Sequence, residues 1–146
     1  MYKELMDKFK LIQKMKHNDG CLIERDFISN HHYCHLDIGR KTGKSTDCYR
    51  FISEWILDGN DVILISNNRL LKEKEHLYVY TGVKGSSFWD RPNDRLRGIW
   101  LKNPLVVIDD VGTQINKNKL LQSNFINSIL PLCEQNTLSI MVLGEL

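Results

Sequence analysis

Short apolar runs with strand character alternate along this chain with longer amphipathic segments, and this alternation most narrows the folds it can adopt. Two of the runs, Asp61 to Ser66 and Leu105 to Ile108, are almost continuously apolar, which is typical of strands covered on both faces. Strands of this kind, separated by helices, favour a mostly parallel sheet flanked by helices. We therefore predict an α/β domain.

The individual elements follow from periodicity and from stop signals. One helix should begin near Gly43 and bury a stripe containing Cys48, Phe51 and Trp55, and Asp58-Gly59-Asn60 should end it. In chain order we predict helix Tyr2–Lys16, strand Tyr33–Ile38, helix Gly43–Leu57, strand Asp61–Ser66, a short helix Asn68–Glu75, strand His76–Thr81, a loop over Lys84–Ile99, strand Leu105–Ile108, helix Asn118–Cys133 interrupted near Pro131, and strand Leu138–Leu143.

Length and composition favour one cytoplasmic domain. The 146 residues are 42% hydrophobic and contain neither a repeat nor a linker-like tract, so we predict a single domain over 1–146, with an N-terminal helical segment at 1–20 and a core at 33–143. No apolar run approaches the roughly 20 residues that span a bilayer, and the charged N-terminus lacks a signal sequence. We expect no membrane partner. The net charge of +2 excludes a surface that is basic throughout, but it permits a local basic patch.

The segment from Ile38 to Thr46 has the composition of a phosphate-binding loop. Its Gly43-Lys44-Ser45 core lies where a predicted strand gives way to a helix, and backbone amides at such a junction form a cradle for anions. Lys44 would reach the β- and γ-phosphates of a nucleotide, and Ser45 would place its hydroxyl on Mg²⁺. The predicted nucleotide-binding residues are Gly39, Arg40, Lys41, Thr42, Gly43, Lys44, Ser45 and Thr46.

The match to the standard phosphate-loop pattern is incomplete. That pattern has its first glycine five places before Gly43, where this chain has Ile38, and Gly39 follows one residue later. A polar turn that only caps a helix is the alternative interpretation. The order of strand, Gly-Lys-Ser, amphipathic helix and later acidic strand end favours the phosphate loop.

Two carboxylates follow the apolar run Leu105 to Ile108. Asp109 would hold Mg²⁺ through water, and Asp110 would polarise the water that attacks the γ-phosphate. An ordinary acidic turn over Asp109 to Gly112 is the alternative. Together with Lys44 and Ser45, the pair predicts a Mg²⁺-dependent ATP hydrolase.

Three segments resemble the ATPase domain of phage terminase large subunits, which pump DNA into capsids. The segment Arg40 to Thr46 is similar to their phosphate loop, and Ile63 to Asn68 looks like the next strand with its polar end. The segment Gly85 to Asp110 is similar to the stretch that leads through an Arg-Gly element to the acidic strand. The resemblance covers roughly residues 33 to 143, and related helicases and other RecA-like ATPases share parts of it.

This resemblance implies a RecA-like (ASCE) P-loop NTPase that binds ATP and Mg²⁺ and couples hydrolysis to double-stranded DNA. It implies that Arg40 stabilises charge at the γ-phosphate, and it matches Arg95 and Arg97 to the arginine-bearing element. Together with Arg91 they are candidate arginine fingers for a neighbouring subunit. Implied partners are further copies of the chain or phage packaging components, in the host cytoplasm if a phage encodes the chain.

The chain also departs from that family. Asp110 stands where glutamate is usual, and Leu143 to Leu146 lacks the usual small hydroxyl residue. A reduced relative is therefore one interpretation, and a regulatory or adaptor protein that binds nucleotide and hydrolyses it weakly is an alternative. A small nucleotide kinase with an arginine-rich lid is another. Trp89 and Trp100, which flank the arginines, are expected to pack in the core or at its rim rather than stack on bases.

Overall fold

A computed structural model gives the fold of the chain and describes Asp7 and residues 33–36, 44–67, 71–134 and 138–146. The strands are β1 (Tyr33–Leu36), β2 (Val62–Ser66), β3 (Leu77–Tyr80), β4 (Leu105–Asp109) and β5 (Ser139–Leu143), and the helices are α1 (Lys44–Leu57), α2 (Lys117–Leu121) and α3 (Asn124–Ile129), with 3₁₀ turns at Ser86–Asp90 and Leu130–Leu132.

The five strands form one sheet in the order β1-β5-β4-β2-β3, and every neighbouring pair is parallel. The predicted α/β fold with a parallel sheet flanked by helices is therefore confirmed. The arrangement is compatible with a RecA-like fold but is not specific to it. Among the described helices, none is long and apolar enough to cross a membrane.

Each face of the sheet is covered by its own apolar layer. Alternate residues of β2 point to opposite sides: Val62 and Leu64 belong to the layer formed with α1, and Ile63 and Ile65 to the layer formed with α2 and α3. All five residues of β2, of β4 and of β5 are buried, which explains why these strands are apolar without alternation.

Helix α1 occupies almost the predicted range. Its predicted stripe, with Cys48, Phe51 and Trp55, is buried against the sheet, because residues three and four apart share one helical face. The Trp55 indole N–H donates to the Asn103 carbonyl at 3.1 Å, which attaches the end of the helix to the loop before β4. Gly59 has φ 86°, the left-handed cap that the sequence predicted.

Two predicted helices were wrong in part. Of the predicted helix Asn68–Glu75, residues 71–75 are not helical, and Lys74 instead forms an antiparallel bridge with Leu77. The predicted helix Asn118–Cys133 is broken into α2 and α3, since the Ser123 hydroxyl accepts a hydrogen bond from the Ile126 amide and begins a new helix.

The predicted loop at Lys84–Ile99 contains the 3₁₀ turn Ser86–Asp90. Apart from Asp7, the predicted helix Tyr2–Lys16 lies outside the described residues.

Candidate functional site

The chain changes direction across the sheet between β2 and β4. From the end of β2 the chain passes outward to the edge strand β3, whereas from the end of β4 it passes the other way to β5. In parallel sheets, ligands bind at the carboxyl ends of the strands where connections diverge in this manner. The register places Ser66 beside Asp109 at this point. The carboxyl ends of β2 and β4 therefore form the candidate site.

A buried carboxylate lies at this switch point. Asp109 is 6% exposed and Ser66 is 2% exposed, and the Ser66 hydroxyl lies 3.5 Å from the Asp109 Oδ2 in donor geometry. A buried carboxylate is costly unless polar groups or a cation surround it. The position of Asp109 at the last residue of a fully buried strand agrees with the position that the sequence predicted for it.

Helix α1 begins at the same edge of the sheet, because it follows the parallel strand β1 and its far end, at Trp55, contacts Asn103 just before β4. The pKa of Tyr49 is raised above its ordinary value, first by burial of the phenol and next by the negative charge of Asp109. Tyr49 lies one turn after Ser45, so these two positions share a helical face. The helix that follows Gly-Lys-Ser begins at the edge of the sheet that holds the carboxyl end of β4.

Most of the predicted phosphate loop lies outside the described residues. Gly39, Arg40, Lys41, Thr42 and Gly43 all lie outside them, and the side chains of Lys44 and Ser45 are not described either. The structure does show that β1 ends at Leu36, that α1 begins at Lys44 and that Thr46 is exposed. The loop therefore connects a parallel strand to a helix, which is the context that a phosphate loop requires.

Asp110 has an unusual backbone and a defined contact. Its φ is 51°, in the left-handed region, and its amide donates to the Leu143 carbonyl at 2.7 Å. Its Oδ1 accepts the Glu145 amide at 3.1 Å. The Asp110 carboxylate is thus attached to the segment after β5, a contact that the sequence analysis missed. Gly112 and Gly144 were the available signals, because each marks a turn with positive φ beside this contact.

The segment after β5 links the ends of three strands. The Gly144 amide donates to the Leu36 carbonyl at 2.9 Å, and the Gly144 carbonyl lies 2.7 Å from the His35 Nε2. The Glu145 amide contacts Asp110 on the other side. Residues 144–145 therefore connect the end of β1, where the predicted phosphate loop starts, with the acidic end of β4.

The three candidate arginine fingers lie toward β3. Arg95 forms an ion pair with Glu73 and donates to the Val79 carbonyl at 2.7 Å, and the exposed Arg97 pairs with Asp94 at 3.1 Å. Arg91 borders a pocket beside Tyr80. Since β3 is separated from β4 by β2, these contacts lie away from Asp109. A role at a neighbouring subunit stays a prediction.

The two tryptophans in this region have different environments. Trp89 is 1% exposed, and its indole N–H donates to the Thr113 hydroxyl at 2.9 Å, so the prediction that it packs in the core is confirmed. Trp100 is 75% exposed, and for it the prediction of packing was wrong. Two residues after Trp100, the Lys102 amide donates to the buried Asp61 at 2.7 Å, and this contact anchors the loop backbone without covering the ring.

The described residues contain no group of three or more His, Cys, Asp and Glu side chains arranged to hold a metal ion. Mg²⁺ usually takes one or two protein oxygens and completes its shell with water and substrate phosphates.

Comparisons with known proteins gave no relative: no family model, curated protein or solved structure matches this chain.

Proposed function

We propose that the chain is a Mg²⁺-dependent ATP hydrolase with a RecA-like core, of the kind found in phage DNA-packaging motors. The observation that carries the proposal is that α1 begins at the edge of the parallel sheet where the buried Asp109 ends β4, at the switch point between β2 and β4. A Gly-Lys-Ser sequence at the start of that helix supplies phosphate-binding groups, and the neighbouring carboxylate supplies a partner for a cation.

The proposed role of each residue follows from the chemistry of its side chain or backbone amide. The amides at the start of α1 and the Lys44 ammonium bind the phosphates, and Arg40 neutralises charge that develops at the γ-phosphate. The Ser45 hydroxyl and the Asp109 carboxylate are hard oxygen donors that suit Mg²⁺, and the burial of Asp109 beside a serine hydroxyl fits that role. When bound, the ion neutralises the phosphate oxygens.

Asp110 orients the attacking water in this proposal. Its contact with the Glu145 amide fixes the position of the carboxylate relative to the end of β4. The same contact favours a second candidate function, a nucleotide-binding regulator with weak hydrolysis, since the Glu145 amide already occupies one oxygen of this carboxylate. Formation of a phosphorylated nucleoside, rather than free phosphate, would instead indicate a kinase.

The larger assembly is part of the same proposal. Double-stranded DNA is the coupled polymer, and copies of the chain form a ring in which Arg91, Arg95 or Arg97 completes a neighbour's site. Mixing an Arg97→Ala subunit with a Lys44→Ala subunit should then restore some activity, because one interface in the mixture has both groups. Activity per chain that is independent of concentration, in a strictly monomeric protein, would reject the ring.

Two isosteric substitutions test the roles of the aspartates. Asp109→Asn keeps an acceptor for Ser66 and removes the charge, so we expect ATP affinity to fall about tenfold in Mg²⁺ and to change little in EDTA. Asp110→Asn keeps an acceptor for the Glu145 amide, so binding should persist while turnover falls about 100-fold. Calorimetric titration and phosphate release measure the two effects.

Asp90→Asn is the matched control, since this exposed aspartate lies in the 3₁₀ turn Ser86–Asp90, and it should behave like the wild type. If Asp110→Asn hydrolyses ATP at the wild-type rate, Asp110 does not position the water. If Asp109→Asn binds Mg-ATP as tightly as the wild type, Asp109 does not hold the cation.

A further inference from the structure

One peptide unit lies between a side chain of β1 and the Asp110 carboxylate. It joins Gly144 to Glu145, directly after β5. Its carbonyl oxygen lies 2.7 Å from the His35 Nε2, and its N–H donates to the Asp110 Oδ1 at 3.1 Å. The carbonyl and the N–H of a trans peptide point in opposite directions and move together, because the unit is planar. The position of the His35 ring is therefore transmitted to the hydrogen bond at Asp110.

The contact determines where His35 carries its proton. A carbonyl oxygen only accepts hydrogen bonds, so the imidazole has a proton on Nε2 and donates it to Gly144. The neutral ring in this tautomer and the imidazolium both keep that N–H, so the contact does not depend on the charge of the ring. His35 is thus a fixed donor to the peptide that holds Asp110.

The Gly144 carbonyl lies where the strand ladder has ended. The Gly144 amide still donates to the Leu36 carbonyl at 2.9 Å, but Gly144 has φ 72°, so the chain turns at this residue. Among the described residues, no backbone amide donates to the Gly144 carbonyl, and His35 is its partner. The orientation of this peptide therefore depends on a side chain rather than on the sheet.

The two hydrogen bonds of the peptide also strengthen each other. A donor on the carbonyl polarises the peptide and makes its N–H a stronger donor. That N–H donates to a carboxylate, and hydrogen bonds to a charged acceptor are the stronger kind. His35 thus acts on both the direction and the strength of the contact between Glu145 and Asp110.

We propose that His35 is a positioning residue for ATP hydrolysis: it holds the Gly144–Glu145 peptide, and this peptide holds the Asp110 carboxylate in the orientation that directs the attacking water. The inference rests on the proposed function, in which Asp110 orients that water. His35 lies in the strand that leads into the predicted phosphate loop, and β5 separates this strand from β4. Loss of the contact should therefore slow the chemical step and leave ATP binding unchanged.

Two side-chain amides of different length test the contact. His35→Gln places an N–H near the position of the lost Nε2 and keeps the donor, whereas His35→Asn is one methylene shorter and does not reach the Gly144 carbonyl. We expect His35→Asn to lower kcat about tenfold and to leave KM for ATP within about twofold of the wild type. His35→Gln should retain kcat. The amide proton signal of Glu145 should move upfield in His35→Asn and stay near its wild-type position in His35→Gln.

Two further variants separate positioning from a loss of stability. In an Asp110→Asn background, His35→Asn should lower kcat no further, because the two residues act on the same step. Trp89→Phe, which removes the hydrogen bond to Thr113 in the core, should lower the urea midpoint and leave kcat unchanged. His35 is exposed, and His35→Thr suits a strand and also lacks the reach, so it replaces His35→Asn if that variant does not fold.

The failure of this inference differs from the failure of the proposed function. A wild type without ATP turnover overturns the proposed hydrolase, and the role of His35 with it. Turnover in the wild type with an unchanged kcat in His35→Asn overturns the role of His35 alone. The same conclusion follows if His35→Gln loses as much activity as His35→Asn, or if the effect of His35→Asn adds fully to that of Asp110→Asn.

Discussion

Asp110 and Gln114 adopt left-handed backbone conformations, with φ of 51° and 59°, that cost a residue other than glycine about 1 kcal/mol or more. Gly112, between them, has φ 60°. The amides of Asp110 and Gln114 donate at 2.7 Å to the carbonyls of Leu143 and Leu146, and these bonds offset the strain. Hydrogen bonds to Leu143–Leu146 thus hold the strained backbone of Asp110 at the end of β4, and a substitution that moves this segment should shift the position of Asp110.

Trp89 provides a residue-scale prediction about the core. Trp89→Phe removes the indole N–H and leaves the buried Thr113 hydroxyl without this partner, so the free energy of unfolding should fall by about 1–3 kcal/mol. Trp100→Phe, at a site that is 75% exposed, should change it by no more than about 0.5 kcal/mol. Urea unfolding measures both, and equal stability of the two variants would contradict the assigned contact.

At the scale of elements, the outer edge of β3 is closed by side chains and a local bridge. Leu77 exchanges both backbone hydrogen bonds with Lys74, at 3.0 and 3.2 Å. The Val79 amide donates to the Glu73 carboxylate at 3.2 Å, and the Val79 carbonyl accepts from Arg95 at 2.7 Å. Unpaired strand edges attract other strands, so these contacts protect the sheet from edge-to-edge association.

Removal of the Arg95 side chain should therefore open this edge. We expect Arg95→Ala to lower the free energy of unfolding by about 0.5–1.5 kcal/mol, most of it from the bond to Val79, since the partly exposed ion pair with Glu73 contributes little. It should also increase self-association. Arg97→Ala, which removes an exposed pair, is the control. Light scattering measures self-association and urea unfolding measures stability. If Arg95→Ala and Arg97→Ala give the same values, Arg95 does not protect the edge of β3.

Elements with a strong local signal could be predicted from the sequence, and those decided by distant contacts could not. Helix α1 and the buried strands β2, β4 and β5 carry their own periodicity or apolar runs. The segment 71–75 is not helical because Glu73 and Lys74 close the edge of a strand, and this depends on where β3 lies in the sheet. The Asp110–Glu145 contact joins residues 35 positions apart, so Gly112 and Gly144 could each indicate a turn, but no local pattern could pair the two turns.

At the scale of the whole molecule, four acidic groups among the described residues, one buried and three half-buried, make stability depend on alkaline pH. Burial raises the pKa of Tyr33 and of Tyr80 from 10.0 to about 12, and raises that of the thiols of Cys34 and Cys133 from 9.0 to about 11 and about 12. The unfolded chain loses these protons first. The stability they contribute is complete below about pH 9 and is lost progressively as pH rises toward about 12.

Tyr33→Phe tests this dependence. The Tyr33 hydroxyl is buried and has no hydrogen-bond partner among the described residues, so the variant should be at least as stable as the wild type at pH 7. Between about pH 10 and about pH 12 its stability should fall less steeply. Urea unfolding under reducing conditions at several pH values measures the slopes. A wild-type stability that is flat over this interval would contradict the burial of these groups.

The most direct test of the central claim is Mg²⁺-dependent ATP turnover by the wild type and by Lys44→Ala, measured as phosphate release with and without double-stranded DNA. Lys44 begins α1 beside the carboxyl end of the sheet, so its loss should reduce turnover at least about 100-fold while the urea midpoint stays within error of the wild type. DNA should increase the wild-type rate. Equal turnover in the two proteins, or a wild type that neither binds nor hydrolyses ATP, would contradict the assignment of a phosphate loop.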